Sequence, residues 1–168
     1  KSVSVLAHNS ELLLNHKFLS ELAELKKKKI INKIGVSVYT ENEINQIQKF
    51  GFKPDIIQLP INILDTRLFH KGILKKINNN GIEIHARSVF LKGLFFLPID
   101  KIKERFPDAQ PQIIKLSEIA EKEGITLPEL SLLWLVNMKE INNVIIGIER
   151  LSQLKSNIQT ITKKVDKY

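Results

Sequence analysis

A handful of residues in this 168-residue chain combine type and position in ways that suit chemistry. His8 stands just past the β-branched run Val3 to Leu6. An imidazole there serves either as a hydrogen-bonding and proton-exchanging group or as a cap for the next helix. Gln58 lies inside the apolar run Asp55 to Ile61. A buried amide needs a partner, and an amide-bearing ligand offers both a donor and an acceptor; the alternative is a Gln58 facing solvent on an edge strand. Arg87 and Ser88 follow the run Ile82 to Ala86, where a guanidinium and a hydroxyl are costly to explain as packing. The segment from Ile145 to Asn157 reads as strand, turn and helix start, and a helix N-terminus offers free N–H groups and a positive dipole end to phosphate.

Composition narrows the chemistry further. The chain has no cysteine, so neither a disulfide framework nor a thiolate metal site is possible, which fits a reducing compartment. We expect a cytoplasmic protein and no metal site. The longest apolar stretches, such as Leu130 to Val136, fall far short of the roughly 20 residues of a membrane span, and nothing at the N-terminus resembles a signal peptide. No membrane partner is expected. The net charge of +8 is spread along predicted helices, and its one cluster, Lys26 to Lys29, complements a helix C-terminal dipole. A solvated face accounts for it, so no nucleic-acid partner is expected. Oligomeric state is not legible.

The elements that must position these residues alternate. Short β-branched runs at Val3 to Leu6, Ile34 to Val38, Asp55 to Ile61, Ile82 to Ala86 and Val144 to Ile146 are separated by amphipathic helices, the pattern of βαβ units around a parallel sheet. Leu19, Leu22, Ala23 and Leu25 recur at helical spacing. Thr40 with Glu43, and Thr126 with Glu129, are capping boxes; Gly51 and Gly124 end helices. Leu68 to Ile77 is predicted helical, as are Gln112 to Glu123 and Ser152 to Thr160, and the helix after Thr126 is expected to bury Leu130, Leu133 and Trp134. About twenty residues between Phe90 and Pro111, with three prolines and Gly93, read as a long functional loop. Five strands suit either a complete open doubly wound sheet or an eight-stranded barrel lacking about three βα units, since that barrel typically needs ~250 residues.

Segments at the strand ends resemble the aldo/keto reductases, in that family's order. Val3 to Asn9 is similar to the strand ending in the active-site histidine; Ile34 to Val38 to the Gly-x-Ser strand; Ile57 to Asp65 to the glutamine-bearing strand and the asparagine after it; Gly81 to Leu94 to the strand and loop around the cofactor pyrophosphate; and Ile145 to Asn157 to the adenosine-phosphate signature. The resemblance implies a partial (β/α)8 TIM barrel with about five parallel strands, residues 1–168 forming the C-terminal portion of one barrel domain. It assigns His8 the catalytic role of hydrogen-bonding the substrate carbonyl oxygen, where hydride arrival builds charge. It assigns cofactor binding to Ser37, Gln58, Arg87, Ser88, Leu91, Gly93, Gly147, Glu149, Arg150, Gln153 and Asn157. Arg87 stands where the family places an aromatic ring or an arginine against the nicotinamide. Two departures are visible. Val38 replaces the asparagine that follows the serine, and Glu149 occupies a position where NADP-preferring members carry a basic or hydroxyl residue, leaving Arg150 to pair with a 2′-phosphate.

The family's proton-donating tyrosine, with its lysine and aspartate, belongs to strands before the histidine, and neither Tyr39 nor Tyr168 matches that motif. Together with the opening at Lys1 and the single methionine Met138, this leads us to expect a piece of a longer protein, inactive alone, with open edges prone to association. The implied function is NAD(P)H-dependent reduction of an aldehyde or ketone, with NADP as cofactor (NAD possible) and a small-molecule carbonyl substrate. Two alternatives stay open: a non-catalytic nucleotide-binding sensor or interaction protein on the same fold, and an unrelated small α/β binding domain.

Overall fold

The computed structural model describes residues 2–162. Five strands, β1 (Ser4–Ala7), β2 (Lys33–Ser37), β3 (Ile56–Pro60), β4 (Glu83–Arg87) and β5 (Asn143–Val144), form one sheet in sequence order, every neighbouring pair parallel. That order, without a switch of direction, is the progression of a (β/α)-barrel wall rather than of a doubly wound sheet.

Strand alternation divides the sheet into two chemically different faces. Ala7, Val36, Ile57, Leu59, Ile84 and Ala86 point to the helical side and form the main core with Leu13, Ile44, Ile47, Leu74, Ile77, Leu132 and Leu135. Each fully buried Ile or Leu there contributes about 1.5–3 kcal/mol. The opposite, inner face carries Lys33, Ser37, Gln58, Glu83, His85, Arg87 and Asn143, all partly or fully accessible. Gly35 also faces inward. A Cβ there would stand 2.9 Å from Ile56 Cβ and from Leu6 Cγ, so only glycine fits without a shift of its neighbours.

The helices follow the signals in the sequence. α1 (Ser10–Leu13) is capped by Asn9, α2 (His16–Lys27) by Asn15, and α3 (Glu41–Lys49) by the Thr40–Glu43 box, with Ile44 and Ile47 turned inward. The expected helix from Leu68 to Ile77 is instead two pieces, α4 (Arg67–His70) and α5 (Ile73–Asn79), because Gly72 takes φ +69° between them. The stretch from Phe90 to Pro111 is not irregular. A 3-10 segment (Leu91–Phe96), α6 (Ile99–Arg105) and a short turn lead into α7 (Gln110–Lys122), and Phe95, Ile102 and Ile113 share a second core with Leu127. α8 (Leu127–Val136) is apolar on every side. Leu127, Ser131, Leu132, Leu133 and Leu135 are buried, while Leu130 and Trp134 are only half-buried, so the expected three-residue face was too narrow. β5 begins one residue early and pairs on one side only, after which Ile145 N–H still donates to the Ala86 carbonyl at 2.7 Å. α9 (Leu151–Thr162) is the last described element. No helix among the described residues is long and apolar enough to cross a membrane.

Candidate functional site

All five predicted site segments fall at the carboxyl ends of consecutive strands, the edge of an α/β wall where loops assemble binding sites. His8 follows β1 and is exposed, two residues beyond the inward Leu6. Asn9, not His8, caps the next helix: its Oδ1 accepts from Leu12 N–H at 3.2 Å. The imidazole is thereby left free of that structural duty.

Ser37 and Gln58 are register partners, and the same inner-face row continues through His85 to Asn143. Among the described residues the Gln58 amide makes no hydrogen bond, although the side chain is only half exposed. His85, by contrast, is held: its Nε2 lies 3.0 Å from Asn143 Nδ2 and 3.5 Å from Glu83 Oε2. Val38, beyond Ser37, is fully buried in the helical-side core and adds no polar group to the cleft.

Arg87 ends β4 and gathers the neighbouring polar groups. Its guanidinium donates to Ser37 Oγ at 3.4 Å and to Ser88 Oγ at 3.3 Å, and its Cζ sits 4.3 Å from the centroid of the Tyr39 ring. An arginine is donor-only, so both serine oxygens spend acceptor capacity on it and their O–H groups stay available as donors to a ligand.

The backbone beyond Arg87 is strained. Ser88 (φ +64°), Leu91 (φ +44°) and Lys92 (φ +53°) occupy the left-handed region, as does Gly93 (φ +91°). Non-glycine residues held there cost on the order of 1–3 kcal/mol each and persist only where surroundings over-determine them. Two buried side chains do so here. Asn62, wholly inaccessible, donates from Nδ2 to the Ser88 carbonyl at 3.2 Å while its Oδ1 accepts from Leu64 and Asp65 N–H. Ser131, equally inaccessible on α8, donates to the Val89 carbonyl at 2.8 Å. Asp65 closes the Asn62 turn, and the Arg67 hydrogen bond holds its carboxyl below the ordinary carboxylate range against the opposing effect of burial. Within the loop, Leu91 N–H donates to the Ser88 carbonyl at 3.1 Å and Gly93 N–H to the Phe90 carbonyl at 2.9 Å, so the turn is closed by its own backbone.

On the far side of β5, Gly147 is open and no neighbour lies within 4 Å of a Cβ built there, and Glu149 and Arg150 are exposed. Gln153 reaches back from the first turn of α9, its Oε1 accepting from Glu149 N–H at 2.9 Å and Arg150 N–H at 3.0 Å. This is the N3-to-N-cap half of a capping box, and it shapes the turn any phosphate would meet. Asn157 is half-buried four residues on, on the same helical face.

The structure thus joins Ser37, Arg87 and Ser88 by direct contact, sets Gln58 in the same row, and places His8 at one border and the Gly147–Asn157 segment at the other. Tyr39 and Ser131 were given no role in the site by the sequence, and Asn62 entered only as the asparagine after the glutamine-bearing strand, with no role assigned. Asn62 had a signal, a polar residue between Ile61 and Ile63 with Asp65 three positions later. Ser131 had little, since one hydroxyl inside Leu127 to Val136 is compatible with any buried helix.

The sequence matches the aldo/keto reductase family over residues 6–168, nearly its whole length. The chain belongs to that family. Among curated relatives it is 24% identical over 151 residues to the L-glyceraldehyde 3-phosphate reductase of Escherichia coli K12, covering 76% of this chain and 44% of that enzyme. Among solved structures it is similar to the thermostable aldo-keto reductase Tm1743, with TM-score 0.70 and 24% identity over 98% of this chain and 56% of that one. The apo form of aldo-keto reductase AKR11C1 from Bacillus halodurans superposes with TM-score 0.74 at 19% identity, over 96% of this chain and 56% of that one. The five-stranded parallel wall is therefore an aldo-keto reductase TIM-barrel wall, and the chain spans about half the length of the relatives it matches.

Proposed function

We propose that this chain is the cofactor-binding part of an NAD(P)H-dependent oxidoreductase that reduces small aldehydes or ketones, and that residues 1–168 are the C-terminal portion of its single barrel domain. The observation that carries this reading is the strained Ser88–Gly93 backbone, clamped by Asn62 and Ser131 beside an Arg87 already bonded to Ser37 and Ser88. Natural sequences keep left-handed serine, leucine and lysine residues in one loop only where the shape is used.

The residues fit a nicotinamide dinucleotide at each part. Gln58 has an unpartnered amide and Ser37 an O–H donor for a carboxamide; Ser88, with its hydroxyl, Leu91 and the backbone toward Gly93 would line the diphosphate. Gly147, Gln153 and Asn157 form a turn and helix face for the adenosine end. When bound, such a cofactor supplies hydride, the step the protein itself cannot perform. His8 then stands at the cleft border as the donor toward a carbonyl oxygen on which charge develops. We assign NADP as the cofactor, with NAD admissible, because Arg150 offers a cation to a 2′-phosphate while Glu149 beside it opposes one. We place the protein in the cytoplasm.

The test is NADPH and NADH binding to the full-length gene product by fluorescence titration, followed by oxidation of the bound cofactor with a simple aromatic aldehyde. Binding with turnover is expected. Binding without turnover would replace this reading by a nucleotide-binding sensor on the same fold, and no binding would remove it.

A further inference from the structure

We propose that Tyr39 is a positioning residue of this cleft: its ring fixes the Arg87 guanidinium, and through it the hydroxyls of Ser37 and Ser88, for the nicotinamide end of the cofactor. The inference rests on the cofactor reading above and adds to it a residue and a device.

Tyr39 has no structural reason to be aromatic. Its side chain is 56% exposed, and it contributes to neither core, whereas Val38 beside it is wholly buried. Its main chain is anchored independently of the ring. The N–H donates to Glu43 Oε2 at 2.9 Å, and Glu43 also closes the Thr40 capping box, so the first turn of α3 fixes where Tyr39 stands. The ring's named partner is Arg87, 4.3 Å away, within the range at which a guanidinium over an aromatic face is attracted by the ring quadrupole.

This contact matters because the other bonds to Arg87 are long. At 3.3 and 3.4 Å, the two serine hydrogen bonds alone would leave a rotamer-rich side chain loosely defined. A planar cation gripped on one face by Tyr39 keeps its edge on the two serine oxygens and leaves its second face for a flat ligand ring. The device also fits the departure at Val38. The position after Ser37 contributes no polar group to the cleft, and the next residue acts on the same serine indirectly, through Arg87.

The groove of about 470 Å³ that Tyr39 also lines, with Asn42, Asn45 and Leu68 among others, competes poorly as a ligand site. Its two cations are already paired, Arg67 with Asp65 and Lys71 with Glu41.

The experiment compares wild type, Tyr39→Leu and Tyr39→Phe in the full-length protein, titrating NADPH and, separately, 2′,5′-ADP, which lacks the nicotinamide. We expect Tyr39→Leu to raise the NADPH Kd about fivefold. The 2′,5′-ADP Kd should be unchanged, and Tyr39→Phe should stay within about twofold of wild type because the ring face is retained. In an Arg87→Met background, Tyr39→Leu should have no further effect. Wild-type binding with an unaltered Tyr39→Leu affinity overturns this inference and leaves the cofactor reading intact. A Tyr39→Phe as weak as Tyr39→Leu, or an equal loss for 2′,5′-ADP, also overturns it. Absence of NADPH binding by wild type overturns the cofactor reading and this inference with it.

Discussion

At the amino ends of the strands, the polar side chains of the wall are paired with one another and with the backbone. Lys33 pairs with Glu83, and Asp55 accepts from both Lys26 Nζ at 2.6 Å and Ile34 N–H at 2.8 Å. At the carboxyl ends, three or four residues further along the same strands, the polar groups are incompletely used. Gln58 has no hydrogen-bond partner among the described residues, Arg87 makes long bonds, and the backbone after it is left-handed. One end satisfies its polar atoms within the protein, and the other keeps donors and acceptors in reserve while paying in strain. The same chemical types at the two ends should therefore fail differently when removed: stability at the first, binding at the second.

The largest effect is expected where the two meet, at a buried group that supports the open end. Asn62→Ala leaves the Leu64 N–H without its partner and removes one of two bonds each at the Asp65 N–H and the Ser88 carbonyl in an inaccessible site, for a loss of about 1–3 kcal/mol, and loosens the strained loop. Urea unfolding should report the first effect and a weaker NADPH titration the second. A variant with unaltered binding would mean that the loop shape does not matter to the ligand. Gln58→Leu should behave oppositely. With no protein partner to lose, stability should move by at most about 0.5 kcal/mol, while NADPH affinity falls about tenfold through a lost amide contact. Asp55→Ala sharpens the contrast from the other end: about 1 kcal/mol of stability lost with the Lys26 and Ile34 bonds, and no change in NADPH affinity. If Asp55→Ala weakened binding as much as Gln58→Leu, the division between the ends would not hold.

How much of this was legible in the sequence follows the range of the interactions. The strand and helix order was readable because it depends on local periodicity and caps: Thr40 with Glu43 and Thr126 with Glu129 form the boxes their spacing predicts. The break at Gly72 was missed because a helical pattern of apolar residues continues across it. The second core at Phe95, Ile102, Ile113 and Leu127 was missed because prolines at 98, 107 and 111 read as loop while serving as helix starts. At the site, the grouping of Ser37, Gln58 and Arg87 was readable from strand ends and family resemblance. The supports were not. Tyr39 meets Arg87 across 48 positions, and Ser131 meets Val89 across 42, and no local pattern in the chain encodes such pairings.

The smallest effect concerns acid. The Lys33 hydrogen bond, opposed in part by burial and reinforced by His85, holds the Glu83 carboxyl below its ordinary value of 4.5. A carboxylate whose folded-state pKa is depressed stabilises the fold above the unfolded-state value and loses that contribution as pH falls through the folded one. Between neutrality and about pH 5, Glu83 should therefore give no pH dependence. Below that, stability should decline, more gently in Glu83→Gln than in wild type. Asp65, depressed by Arg67 at the carboxyl end, contributes its own acid limb at lower pH, because its ordinary value of 3.8 is already lower. The two limbs can be separated by urea midpoints from pH 6 to pH 3 in Glu83→Gln and Asp65→Asn. Glu83→Gln should flatten the upper part alone, leaving NADPH affinity at neutral pH untouched. A change in that affinity would show that the closed end of the wall communicates with the open one.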